Sequence, residues 1–186
     1  MARPREFDLN EAIERAMDLF WTHGYSSTSL PDLLEGMAIT RGSFYKAFIS
    51  KKELFLKALQ RYENTVLEPA LTRLHDENIA GTTRLQSIFT GAVNAAKNGE
   101  TRGCLLCTTS AGAALNDAEI AERVNNQLER LTQGLAKALA DAGNATPEQT
   151  ARSLTLSYIG LRIATRGQMS AERLEIAANQ ALAQVS

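Results

Sequence analysis

Between Ala38 and Tyr62 the chain carries six cations, Arg41, Lys46, Lys51, Lys52, Lys57 and Arg61, against one acid, Glu53. The formal net charge of the whole chain is only −1, so this basic stretch is a local feature. Dense local positive charge suits a polyanion. Hydroxyls lie among and just before the cations. Thr28, Ser29, Thr40, Ser43 and Tyr45 can each donate a short hydrogen bond to a phosphate oxygen. Arg41 and Lys46 can reach phosphates or guanine edges. Gly42 has no side chain, so the backbone there can lie close to a nucleic acid. The chemistry these residues suit is non-covalent recognition of double-stranded DNA.

Three helix starts in quick succession position them. Ser29 followed by Asp32 is a capping pair, with Pro31 tolerated in the first turn. Leu30, Leu33, Leu34 and Met37 give that helix an apolar stripe. Thr40 caps a very short helix from Arg41 to Phe48, and Ser50 with Glu53 opens a third. Two short helices joined by a tight turn are the layout of a helix-turn-helix. Phe44 and Phe48 are expected to pack beneath the second helix, leaving Tyr45 outward.

These residues resemble the N-terminal domain of the tetracycline-repressor (TetR/AcrR-type) family of bacterial transcription regulators. The matching stretches are Gly24-Tyr25, Thr28-Ser29, Leu33-Leu34, Ala38-Ile39-Thr40, Arg41-Gly42-Ser43-Phe44-Tyr45 and Phe48-Ile49-Ser50-Lys51-Lys52-Glu53-Leu54. Ala38 departs from the family's turn glycine. Ala47 stands where the family has His or Tyr, which removes one expected phosphate contact. The resemblance implies a DNA-binding set of Thr28, Ser29, Thr40, Arg41, Gly42, Ser43, Tyr45, Lys46 and Lys51.

The remaining chain is helical throughout. Asp8 with Glu11 caps a first helix that Gly24 ends; before it, Ala2 to Glu6 is a short arm with Arg3 and Arg5. After Ser50 the apolar period runs through Leu54, Phe55, Ala58, Leu59, Tyr62 and Val66, with a bend expected at Pro69. Thr83 with Gln86 is expected to open the next helix. Cys104 to Leu115 reads as another, and Asp117 caps a long one that Gly143 ends. Thr146-Pro147-Glu148-Gln149 and Ser170 start the last two. No segment alternates with period two for long enough to be a strand. The fold class is therefore all-α with about nine helices: a helix-turn-helix DNA-binding domain over 1–50 and a helical bundle over 51–186. The resemblance implies that the bundle binds an effector and dimerises through its last two helices, which are rich in alanine.

Cys104 and Cys107 share a helical face beside Arg102. Their ordinary reading is as small buried hydrophobes, since Leu105 and Leu106 surround them. The alternative is a thiol-based sensor, with Arg102 and the helix terminus as activators. A thiol oxidoreductase would need a strand-to-helix junction, and none is evident. No Gly-rich phosphate loop, nucleophile elbow or carboxylate cluster occurs, so no catalytic residue, cofactor or metal site is indicated. His23 and His75 have no ligand-like company. The N-terminus has no apolar signal region and no run spans a membrane, so a cytoplasmic protein with no membrane partner is expected. The whole reads as a homodimeric regulator, by resemblance a repressor, that binds palindromic operator DNA and answers to a small-molecule effector of unknown identity. The resemblance places the effector among the helices between Ser50 and Gly167, with Tyr62, Phe89, Cys104 and Cys107 as candidate contacts.

Overall fold

Residues 7–185 are described here from a computed structural model; the arm carrying Arg3 and Arg5 lies outside them. Asp8 accepts hydrogen bonds from the Asn10 and Glu11 amides and so starts α1 (Leu9–His23). α2 (Leu30–Met37) opens on a reciprocal capping box between Ser29 and Asp32. α3 (Arg41–Ala47) opens on Thr40, whose hydroxyl accepts from the Ser43 amide. Between α2 and α3, Ala38 takes the left-handed conformation, with φ +55° and ψ +41°. A Cβ is unfavourable there, which is why a glycine serves this turn better.

Ser50 starts α4 (Lys51–Tyr62) by accepting from the Glu53 amide. Phe20, Leu33, Phe44, Phe48 and Phe55 are at most 1% exposed and fuse α1 to α4 into one core. Phe55 meets Phe20 edge-on at 4.9 Å, so the head's core runs past residue 50 into α4. Beyond Tyr62 the rod passes through a π-helical stretch, Glu63–Leu67, into α5 (Glu68–His75). Pro69 has no N–H to donate to the Thr65 carbonyl, and the Glu68 amide bonds five residues back to Glu63. A shift of the hydrogen-bond ladder thus stands where a proline bend was expected. Glu63 is 5% exposed and accepts two hydrogen bonds from Arg123, at 2.8 and 2.6 Å.

The bundle adds α6 (Gly81–Lys97), α7 (Leu105–Ser110), a 3-10 turn at Ala113–Asn116, α8 (Ala118–Asp141), α9 (Pro147–Arg166) and α10 (Ala171–Leu182). With α4 and α5 counted as one rod, the described residues hold nine helical rods and no strand. Among the described residues no helix is long and apolar enough to cross a membrane. Four starts or extents differ from the sequence reading. α6 begins at Gly81 rather than at Thr83, and glycine is needed there because a Cβ would strike the Ala138 carbonyl and the Ala142 amide of α8. The helix from Cys104 breaks at Gly112 into the 3-10 turn. Thr146 makes no side-chain cap; Asn144 instead accepts from the Thr146 amide and the Thr150 hydroxyl. Ser170 stands at the start of α10 but its side chain makes no cap either.

Candidate nucleic-acid interface and bundle cavity

α3 presents Arg41, Gly42, Tyr45 and Lys46 to solvent, with Ser43 half-buried. Phe44 and Phe48 are buried beneath it, and Tyr45, 55% exposed, stands edge-on to Phe44. A Cβ on Gly42 would meet only the Thr40 hydroxyl, at 3.8 Å, so nothing inside the protein requires a glycine there. What a side chain at 42 would obstruct is an approach from outside.

Long-range pairing sorts the basic stretch into two groups. Lys52 donates to Asp117 and Glu119, each at 2.8 Å, and those carboxylates hold its pKa up at about 12. Lys57 pairs with Glu53 and Arg61 with Glu14. Arg41, Lys46 and Lys51 have no carboxylate partner among the described residues. The Lys51 ammonium lies 4.5 Å from the centre of the Tyr25 ring, and partial burial lowers its pKa. Two of the hydroxyls cap helices while remaining exposed. Ser29 donates to Asp32, which that bond holds below the usual carboxylate range, and Thr40 engages Ser43. Thr28 is a correction. It is 1% exposed and its hydroxyl donates to the Gly24 carbonyl at 2.7 Å, so it belongs to the head's interior.

Behind the head lies a cavity of about 370 Å³. Trp21 of α1 forms one wall, and Tyr62, Val66 and Leu67 of the rod another. Ile88 and Ala92 of α6, Cys104 and Leu106, Leu128 and Leu131 of α8, and Tyr158 and Arg162 of α9 close it. The head is fastened at this point. Trp21 Nε1 donates to the Gly103 carbonyl at 3.3 Å, and Arg166 donates to the Trp21 and Thr22 carbonyls at 2.7 and 2.8 Å. Arg102 stacks 4.0 Å over the Trp21 ring and pairs with Glu100 and Asp18. The cavity wall therefore includes a residue of α1, the first helix of the head.

Of the pocket candidates, Tyr62 and Cys104 line the cavity and donate and accept one hydrogen bond, at 3.3 Å. Phe89 does not line it. It is fully buried and packs edge-on behind Tyr158 at 6.0 Å. Cys107 is also fully buried and off the cavity wall. Both cysteines are buried free thiols, in keeping with small core residues. Arg102 is occupied by Glu100 and Asp18, so the charge beside the thiols is Arg162 instead. Its neighbours Cys107, Tyr62 and Arg162 draw the Cys104 thiol down against the effect of burial. The contact with Cys104 and burial push Cys107 far up. Tyr158 and Arg162 were not anticipated from the sequence. The signal available was their spacing of four on an otherwise apolar face.

Comparison with known proteins follows the same lines. The family model for bacterial regulatory proteins of the tetR family matches residues 12–58. The chain is similar to the HTH-type transcriptional regulator YezE of Bacillus subtilis (strain 168), 31% identical over 185 residues and 94% of each chain. It is 29% identical to the HTH-type transcriptional repressor ComR of Escherichia coli (strain K12), over 92% of this chain and 86% of that one. Among solved structures, a cysteine mutant of the TetR family transcriptional regulator CifR, complexed with double-strand operator DNA, is similar at a TM-score of 0.80. Its identity is 30%, over 97% of this chain and 98% of that one.

Proposed function

The chain belongs to the TetR family of DNA-binding transcription regulators, and from that premise we propose that it is a homodimeric repressor that leaves a palindromic operator when a small effector fills the bundle cavity. It acts in the cytoplasm, on the DNA it regulates. The observation that carries the reading is the exposed face of α3. There Arg41 and Lys46 are free of partners among the described residues, and Gly42 leaves the backbone open. Ser29, Thr40, Ser43 and Tyr45 supply phosphate and base contacts around them, and Lys51 supports the duplex from the start of α4.

Two further observations support the finer parts. α9, α10 and the turn between them expose Leu156, Ile163, Met169 and Ile176, an apolar set suited to an isologous two-fold contact. Ala178 and Ala181 are buried inside the subunit, so the outward side chains are the ones that meet a partner. A dimer places two α3 helices in successive major grooves, and their spacing decides whether both engage. The cavity touches α1 through Trp21 and the rod through Tyr62 and Val66. An occupant that fits only one arrangement of these elements shifts the population of head spacings.

The test is a footprint on DNA upstream of the protein's own reading frame, with sedimentation of the free protein. The expected result is protection of a palindrome by a dimer. A monomer at micromolar concentration that binds the palindrome tightly overturns the dimeric reading.

A further inference from the structure

Arg162 is 6% exposed and faces an apolar cavity. One Nη donates to the Gly103 carbonyl, and Nε has no partner among the described residues. The nearest acid on the wall, Glu100, is held by Arg102, which donates to both its oxygens and keeps its pKa low. Cys104 Sγ already accepts from Tyr62, and it makes no hydrogen bond with Arg162 among the described residues. A buried guanidinium without a carboxylate is costly, and that cost is relieved when an anion arrives. One turn away on α9, Tyr158 lines the same cavity and makes no hydrogen bond among the described residues. At the rim stands Arg73, exposed and without an ion-pair partner among the described residues.

We propose that the cavity binds a small, largely apolar carboxylic acid, its carboxylate between Arg162 and the Tyr158 hydroxyl and its body against Trp21, Val66, Ile88 and Leu131. The proposal deepens the effector reading given above and rests on it. A planar guanidinium fork matches a carboxylate. A phosphate dianion would need more donors than one arginine and a phenol supply. Most of the remaining wall is apolar, which suits a hydrocarbon body. The link to the head is direct. The Gly103 carbonyl accepts from both Arg162 and Trp21 Nε1, so a carboxylate that takes Arg162 alters the hydrogen bond holding α1.

Trp21 is the only tryptophan in the chain, so its fluorescence reports on the site. The experiment titrates the full chain with phenylacetate and octanoate, and with phenylacetamide and octanamide as neutral matches. Fluorescence and calorimetry follow binding, and upstream DNA is tested in parallel. A saturable response to at least one acid is expected, with its amide about tenfold or more weaker. Arg162→Gln should weaken acid binding by a similar factor, and Tyr158→Phe, which preserves packing, by a few-fold. The proposal fails if neither acid binds, if the amides bind as tightly, or if both variants bind acids like the native protein. Operator binding without acid binding defeats this proposal alone; acid binding without DNA binding defeats the regulator reading.

Discussion

Lys46→Ala and Lys52→Ala should differ sharply in their effect on the salt dependence of operator binding, although the two residues are neighbours in one basic stretch. Counterion release ties the slope of log K against log [salt] to the number of phosphates neutralised, at about −0.9 per contact. Among the described residues each head carries three cations without a carboxylate partner, Arg41, Lys46 and Lys51. Two heads give six contacts and a slope of about −5. Lys46→Ala removes one contact per head and two per dimer, so the slope should flatten by about 1.8. Over a fourfold rise in salt, the native protein should lose about a thousandfold in affinity and the variant about a hundredfold. Lys52 is already neutralised by Asp117 and Glu119, so Lys52→Ala should move the slope by well under about one contact's worth. The assay is fluorescence anisotropy of a labelled operator duplex at a series of KCl concentrations. Equal flattening by both substitutions would refute the division of the basic stretch into free and internally paired cations.

Three further substitutions probe the scaffold. Ala38→Gly should stabilise the protein by about 0.5–1 kcal/mol in urea melts, because it relieves a left-handed residue at some entropic cost. Gly42→Ala should leave the fold intact or slightly firmer, since the added methyl meets only the Thr40 hydroxyl. The same change should weaken operator binding about tenfold in the anisotropy assay, through overpacking against the duplex. Gly81→Ala should cost about 3 kcal/mol in the same melts, because the clash is with the α8 backbone and no rotamer relieves it.

The parts of this fold that a reader could find in the sequence are those fixed within a few residues. Asp8, Ser29, Thr40, Ser50 and Asp117 cap helices where their side chains suggest, because a cap needs only an amide two or three positions on. The layering of Phe44 and Phe48 beneath Tyr45 follows from helical spacing alone. Charge state in context is different. Nothing near Lys52 announces Asp117 and Glu119, so a count of cations between Ala38 and Tyr62 overstates the charge free for DNA. Thr28 has the residue type of a phosphate donor and the position of a core residue. Only the proximity of the Gly24 carbonyl decides between them. The need for glycine at 81, where α6 starts, comes from α8, more than fifty residues away along the chain.

The cavity was illegible for a related reason. Periodicity marks which residues face inward, but a void is a place where inward faces fail to meet, and that depends on several helices at once. Phe89 and Tyr62 have the same apolar periodicity, yet one is sealed behind Tyr158 and the other forms a wall. Trp21 reads as core of the head, and the structure gives it a second role as the cavity wall nearest the head. That double role makes it the economical link between the two parts of the chain. Its ring is gripped by Arg102, its indole N–H by Gly103 and its carbonyl by Arg166. A change in the cavity that moves Arg162 or Gly103 therefore reaches α1 through direct contacts, with no need for a long chain of small displacements.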